Sequence, residues 1–151
     1  MQQQDMTIKF IPPAEVLPLR SLVLRNGKLY GLCVFKEDER PDTIHLGMID
    51  EGDNEPKCIL TAFPQKKDGY EGIGYQLRGM ATHPDFQGRG LGNQLVNFLA
   101  VYLKGQQVSY LWCNAREIAF RFYQNLGFEF VSDEFEVPEI GLHRVMYLRL
   151  R

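Results

Sequence analysis

Apolar positions alternate weakly from Thr7 to Ile11 and stop at Pro12-Pro13, which predicts a first strand. The period then changes. Val16, Leu19, Leu22 and Val23 fall at helical spacing within Glu15–Arg25, Pro18 sits in the first turn, and Asn26-Gly27 supplies a stop signal. Gly31–Glu39 reads as irregular or a short strand. Thr43–Ile49 and Lys57–Phe63 read as two strands, parted by the polar stretch Asp50–Asn54 and closed by Pro64, so an antiparallel hairpin is predicted. A charged, glycine-bearing loop, Gln65–Ile73, leads into a fourth strand, Tyr75–Thr82.

Helical periodicity returns after residue 90, where Leu91, Leu95, Phe98, Leu99 and Tyr102 form one stripe and Lys104-Gly105 ends it. Val108–Cys113 is short and wholly apolar, the pattern of a buried parallel strand. A second helix is predicted over Ala115–Leu126, with Ile118, Ala119, Phe122, Tyr123 and Leu126 facing inward and Gly127 as its cap. Two last strands, Phe128–Ser132 and Arg144–Leu150, flank an acidic loop, Asp133–His143. Strands first, then strand–helix–strand–helix–strands, predict one mixed sheet in an α/β three-layer arrangement with helices covering it. The 151 residues suit a single domain, 1–151, without repeats or low-complexity segments.

The most specific stretch is Arg78–Leu95, RGMATHPDFQGRGLGNQL, which runs from strand to turn to glycine loop to helix. Gly88, Gly90 and Gly92 recur at every second position. Such a loop lets the backbone approach an anion, and the first N–H groups of the following helix have no intrahelical acceptor and lie at the positive end of its dipole. A phosphate or pyrophosphate is the natural occupant. A P-loop is excluded because no G-K-[ST] follows. A dinucleotide fingerprint is excluded because position 93 is Asn and no Asp or Glu occurs between Asn93 and Ala115.

The spacing Gln87-Gly88-Arg89-Gly90-Leu91-Gly92 resembles the pyrophosphate-binding loop of the GNAT superfamily of N-acetyltransferases. Tyr75–Thr82 with Pro84 resembles the strand and turn before that loop. Leu111-Trp112-Cys113-Asn114-Ala115-Arg116, Ala119, Phe122-Tyr123 and Leu126-Gly127-Phe128 resemble the family's second motif, and Gly141, His143, Met146 and Tyr147 the last strand of small bacterial members. The resemblance covers about Thr43 to Arg151. It implies a central mixed, mostly antiparallel sheet splayed between the fourth and fifth strands, with helices on both faces. It implies acetyl-coenzyme A as co-substrate and an amine as acceptor. It puts Met80, Ala81 and Thr82 on the pantetheine arm, Gln87, Gly88, Arg89, Gly90, Leu91, Gly92 and Asn93 on the pyrophosphate, and Asn114 and Ala119 on the cofactor. Tyr123 is the implied general acid, since a phenol of reference pKa about 10 stays protonated at neutral pH and can donate to a leaving thiolate.

Several of these residues keep a second reading. Tyr123 also fits a core tyrosine on an amphipathic helix. Asn114-Ala115-Arg116-Glu117 also fits a capping box. Arg89 is a phosphate contact or a solvated loop residue. Cys113 sits in an apolar strand and reads as a buried inert thiol. The general base is unassigned: the fourth strand has no Glu, and Glu71, His83, His143 or a water chain could serve. A non-catalytic acyl-coenzyme A sensor is the alternative that the missing base leaves open.

Composition narrows the partners. A net charge of −2 without a basic stripe argues against nucleic acid, and no apolar run is long enough for a membrane span. MQQQDMTIKF lacks the basic and apolar regions of a signal peptide, and Cys33, Cys58 and Cys113 are an odd, scattered set, so a cytoplasmic monomer or homodimer is expected. The three dispersed histidines and three cysteines predict no metal site. Two acidic clusters, Glu37-Asp38-Glu39 with Asp42 and Asp133-Glu134 with Glu136 and Glu139, read as solvated loops; the sharper reading is a site for a cationic amine.

Overall fold

The computed structural model describes residues 5–151, so the first four residues of the segment read for a leader lie outside it. Its described strands are β1 (Met6–Phe10), β2 (Ile44–Asp50), β3 (Glu55–Pro64), β4 (Gly74–Thr82), β5 (Tyr110–Arg116), β6 (Glu129–Phe130), β7 (Phe135–Val137) and β8 (Gly141–Arg149). The α-helices are α1 (Leu17–Leu19), α2 (Leu91–Gly105) and α3 (Phe120–Asn125). The sheet order is β1-β2-β3-β4-β5-β8-β6, with β7 also on β8. No described helix is long and apolar enough to cross a membrane. The chain divides into two compact units, one formed by the chain up to Phe63 with Gly79–Val96, the other by Pro64–Arg78 with Asn97–Arg151.

In the first unit β1, β2 and β3 form an antiparallel meander, with Ile8 opposite Met48 and Gly47 opposite Ile59. The predicted first helix is real but irregular: a 3-10 turn (Pro13–Val16), α1, and a π-helical stretch (Arg20–Leu24). Val16 and Leu19 pack on Ile59 and Ala81, while Leu22 points to solvent. The wide π turn carries Arg20 into the interior at 1% exposure. Its guanidinium donates to both carboxylate oxygens of Asp38 (2.7 and 2.9 Å), to the Cys33 carbonyl (3.0 Å) and to Thr61 Oγ1 (2.8 Å), and it lies 3.7 Å over the Phe35 ring. His45, opposite Thr61 in the β2–β3 register, extends the network through its own two nitrogens. Burying a cation without such partners would cost several kcal/mol, on the order of the penalties known for unpaired interior ions.

That network corrects the solvated-loop reading of the first acidic cluster. Glu37 and Asp38 are buried, because Asp38 is the counter-ion that makes an interior arginine tolerable. Glu39 and Asp42 do face water.

β4 is irregular at one point. Gln65 N–H donates to the Gly74 carbonyl and His83 N–H to the Lys57 carbonyl, so between these bonds β3 advances eight residues and β4 nine. The extra residue is a bulge, and Gly79, at φ +69°, is where it fits. A Cβ there would lie 3.1 Å from the Phe35 ring and 3.2 Å from Arg20 Nε. The left-handed backbone favours glycine here, and any side chain would also need Phe35 and Arg20 to give way by a few tenths of an ångström.

In the second unit β5 pairs along its whole length with β8, from Tyr110↔Arg149 to Arg116↔His143. Its parallel pairing with β4 covers three residues, Gly74↔Tyr110 to Gln76↔Trp112. Tyr70, Tyr110 and Tyr147 cluster beside Trp112 and Val145. The Gln65–Ile73 loop is pinned by Trp112 Nε1 donating to Gln65 O (2.8 Å) and by Tyr110 Oη accepting from Lys67 N–H (2.9 Å).

Expectations change at the end of β5, in the acidic segment and in α2, whose residues up to Val96 belong to the first unit. β5 runs on through Asn114, Ala115 and Arg116, so Asn114 is opposite Val145 in a ladder and is not a helix cap. A 3-10 turn (Glu117–Ala119) then precedes α3 and has no side-chain cap. The ladder to β8 outcompetes the local capping box. Ile118 consequently lies in that turn at 92% exposure and not on an inward helix face. The predicted acidic loop is largely a hairpin, with Phe135 opposite His143 and Val137 opposite Gly141. In α2 the buried arc takes in Leu91, Leu95 and Leu99 as predicted but turns toward Val96 and Leu103, leaving Phe98 at its edge with 37% exposure.

Asp38 generates a stability prediction. Burial pushes its carboxyl up, but the hydrogen bond from Arg20, the Phe35 N–H and the Arg20 charge outweigh this and hold it below the usual carboxylate range. A depressed folded-state pKa contributes stability above the unfolded carboxylate's value, and that stability is lost as pH falls through the folded value. Asp38→Asn should cost about 3–5 kcal/mol at neutral pH, because Arg20 stays buried without its counter-ion. Urea melts should show the gap to wild type narrowing as pH falls below about 4, where the unfolded-state carboxylate takes up a proton, and closing once the folded-state carboxylate does so at lower pH.

Candidate active site

The glycine loop grows directly out of β4. After Thr82, His83 caps a 3-10 turn (Pro84–Phe86) by accepting the Asp85 N–H at Nδ1 (3.1 Å). Gln87 reaches back from the loop to donate from Nε2 to the Thr82 carbonyl (3.3 Å). Gly88 and Gly90 both take left-handed backbone, φ +78° and +77°. The Gly90 carbonyl accepts the first helical bond of α2, from Gln94 N–H (3.1 Å). The N–H groups of Leu91, Gly92 and Asn93 therefore have no acceptor within the helix. Gln87, Gly88, Arg89 and Gly90 are exposed, whereas Leu91 and Gly92 are buried. The loop is an open backbone turn at the N-terminus of a 15-residue helix, with the geometry to receive an anion.

Arg89 is exposed, donates to the Asp85 carbonyl (3.3 Å) and lies 4.9 Å over Phe86. On the strand before the loop, Ala81 is buried against Val16, Leu19 and Ile59, while Met80 and Thr82 are half-buried. Thr82 Oγ1 is 3.3 Å from Cys58 Sγ, a contact that nothing in the residue pattern signals. Burial pushes the Cys58 thiol up to about 11, so it is a protonated neighbour and not a nucleophile at neutral pH. Met80–Thr82 and Gln87–Asn93 are thus brought together as one strand, turn and helix start.

The other expected site residues lie in the second unit. Asn114 is exposed near the end of β5, and Ala119 is half-buried at the close of the following turn. Tyr123, on α3, is 6% exposed, with its ring against Phe122 (5.0 Å) and Phe128 (5.2 Å). The Phe128 N–H donates to the Tyr123 carbonyl (3.0 Å), closing the turn at Gly127, where φ is +97°. Cys113 is buried one residue before Asn114, and burial pushes its thiol far up, so it holds its proton.

The histidines divide by their hydrogen bonds. His45 donates from Nε2 to the Asp38 carbonyl (3.0 Å), which leaves Nδ1 to accept the Thr61 hydroxyl (2.8 Å). His83 spends its Nδ1 lone pair on Asp85 N–H. His143 instead donates from Nδ1 to the Gly141 carbonyl (2.9 Å), so its proton is on Nδ1.

Residues 21–130 match the model of the acetyltransferase (GNAT) domain family. The chain belongs to the GNAT acetyltransferase family. The acetyltransferase is 32% identical over 145 residues to the uncharacterized N-acetyltransferase YitI of Bacillus subtilis (strain 168), a match covering 95% of this chain and 96% of the relative. Its fold is that of an aminoglycoside 6'-N-acetyltransferase complexed with coenzyme A (TM-score 0.77, 16% identity, 97% of this chain and 98% of that one). It is equally that of Arabidopsis thaliana NAA60 in complex with acetyl-CoA (TM-score 0.75, 12% identity, 97% and 99%). The protein is an acetyl-coenzyme A-dependent acetyltransferase.

The loop itself yields a prediction. A Cβ at Gly90 meets nothing within 4 Å, so a side chain there strains the backbone without clashing. Gly90→Val should lower stability by about 1–2 kcal/mol, the cost of an L-residue in the left-handed region. Circular dichroism should show an intact fold with a lower melting temperature.

Proposed function

We propose that this acetyltransferase moves the acetyl group of acetyl-coenzyme A to a primary amine of a small molecule, by direct attack within a ternary complex, and works as one domain over residues 1–151. The observation that carries the reading is the pair of left-handed glycines, Gly88 and Gly90, opening onto the bare N–H groups of α2 at the end of β4. Gln87 to Asn93 would hold the pyrophosphate there, with Arg89 free to swing from its weak contact with Asp85. Met80, Ala81 and Thr82 would take the pantetheine arm by backbone pairing, beyond the three-residue ladder that β4 makes with β5. Asn114 and Ala119 would complete the hold on the cofactor arm. Three free, buried cysteines suit a reducing cytoplasm.

The chemistry follows from these positions. The amine nitrogen attacks the thioester carbonyl carbon, a C–N bond forms, and the carbonyl electron pair moves onto oxygen. A backbone N–H of β4, fixed by the strand, would stabilise that oxyanion. When the oxyanion collapses, the C–S bond breaks and the electron pair leaves with sulfur. Tyr123 would donate its phenolic proton to the thiolate and recover one from solvent, while the attacking nitrogen, left with one proton too many, gives that proton up to water. Holding both substrates in one complex supplies the rest of the rate gain.

Acetyl-coenzyme A should raise the melting temperature by mass action on the folded state, and Gly90→Val should abolish that shift. Failure of acetyl-coenzyme A and coenzyme A alike to shift the melt would refute the loop assignment. A panel of small amines and of peptides with free N-termini or lysines, read by thiol release, tests the acceptor; turnover of peptides alone would replace the small-molecule reading.

Tyr123→Phe should lower kcat by about 10²-fold while changing the cofactor KM little, because the proton is needed only in the transition state. An unchanged kcat, with chemistry shown to be rate-limiting, would return Tyr123 to the core.

The protonated, buried Cys113 thiol supports direct transfer over a covalent acetyl-enzyme. Initial-velocity lines should intersect when both substrates are varied. Cys113→Ala should keep most activity and lose a little stability. Parallel lines with an acetylated Cys113 in the mass spectrum would overturn direct transfer.

A further inference from the structure

We propose that His143 is the general base that takes the proton from the incoming ammonium. The assignment rests on the acetyl-transfer reading above.

The chain has three histidines, and their hydrogen bonds distinguish them. A neutral imidazole has one basic lone pair. In His45 it accepts from Thr61, and in His83 it accepts from Asp85 N–H. In His143 the carbonyl of Gly141 holds the Nδ1 proton, which leaves the lone pair on Nε2, and Nε2 has no hydrogen bond among the described residues. The ring is 6% exposed and packs on Phe135 at 5.8 Å with an interplanar angle of 30°. The ring is oriented, and its basic nitrogen is neither engaged nor sealed from solvent, so it is open to take a proton.

Its place in the fold fits that role. β4 and β5 are the parallel pair of the sheet, and ligands of such sheets bind beyond the carboxyl ends of the strands. β5 ends at Arg116, and His143 is directly opposite Arg116 on β8. Residues opposed on antiparallel strands share a face, so His143, Val145, Arg116 and Asn114 project to one side of β5 and β8. α3 is on the other side. Phe120 packs edge-on against Phe130 (5.0 Å), Phe130 is opposite Met146, and Arg144 stacks over Phe130 (3.7 Å). Tyr123 and His143 therefore come from opposite faces of the same strand end. A donor for the departing sulfur and an acceptor for the arriving nitrogen are needed on opposite sides of the carbonyl carbon.

The charged group opposite His143 is Arg116 on β5, and the turn that begins with Glu117 packs on β8; on β7 it meets Phe135, while Glu136 projects to the opposite face. In the step proposed, the ammonium N–H bond breaks and its proton goes to Nε2. The nitrogen keeps the electron pair and attacks, and the imidazolium later releases the proton to water.

Methylamine and hydroxylamine test this independently of the natural acceptor. They are alike in size, but at neutral pH methylamine is an ammonium and hydroxylamine is largely the free base. His143→Gln should lower kcat/KM for methylamine by about 10²-fold or more, with a far smaller loss for hydroxylamine. His143→Ala should be partly rescued by added imidazole. The melting shift with acetyl-coenzyme A should survive in both variants, which separates loss of the base from loss of the fold or cofactor site. Equal losses for the two amines, or none, would overturn the assignment. Absence of transfer by the wild-type protein to any amine would instead sink the acetyl-transfer reading. In that event the imidazole nitrogen spectrum still decides: Nδ1–H with bare Nε2 is expected, and the opposite tautomer refutes the base.

Discussion

A guanidinium buried at 1% exposure has to find acceptors for nearly every N–H it carries, and the first unit is arranged around that requirement. Asp38 supplies two oxygens, Cys33 a carbonyl and Thr61 a hydroxyl. These four acceptor atoms come from an irregular loop and a β-strand, and the guanidinium from a π-helical turn, so one ion pair fixes the mutual position of segments with little regular structure of their own. The demand spreads further. The Thr61 hydroxyl donates a hydrogen bond to His45 Nδ1, and His45 Nε2 donates in turn to the Asp38 carbonyl. Arg20 Nε, the one donor of the group without an acceptor among the described residues, faces the bulge of β4.

The bulge brings this network up against the strand that leads to the candidate site. Ala81, two residues after Gly79, enters the cluster with Val16 and Leu19. Gly79 lies three residues before Thr82, at the end of the strand that delivers the chain to the glycine loop. A strand bent and held in this way presents backbone groups in a fixed direction, which is what stabilising a transient oxyanion requires. In the second unit, β8 performs a comparable task. It pairs with β5 along the whole of that strand and carries β6 and β7 as well, so the end of β5 is rigid where Asn114 and Arg116 emerge.

Features that depend on local chemistry were legible in the residues. The short strand segments of β2, β3 and β4, bounded by turn residues, the apolar stripe of α2 and the glycine loop at 88 and 90 each follow from neighbours a few positions away. The family membership follows from the same short motifs, because the loop, the strand before it and the Phe-Tyr helix are contiguous in the chain. What failed was competition between a local signal and a distant one. Asn114–Glu117 has the form of a helix cap, but its backbone groups found partners on β8, about 30 residues on, and the strand continued. The Asp133–His143 segment looks like a solvated acidic loop, yet Phe135 and Val137 pair with β8.

By itself, then, the sequence determined the element types, the strand-turn-loop-helix that forms the candidate cofactor site, and the family. Tertiary structure decided the fate of the polar residues. Whether Asp38 is a surface acid or a buried counter-ion depends on Arg20, 18 residues away, and no periodicity links them. The tautomers of the three histidines depend on which carbonyl, hydroxyl or amide happens to lie within about 3 Å, a matter of packing and not of composition. Hydrophobic pattern acts over a few residues and is written along the chain. Hydrogen-bond satisfaction in the interior is a property of the assembled fold, and it is that property which distinguishes His143 from the other two.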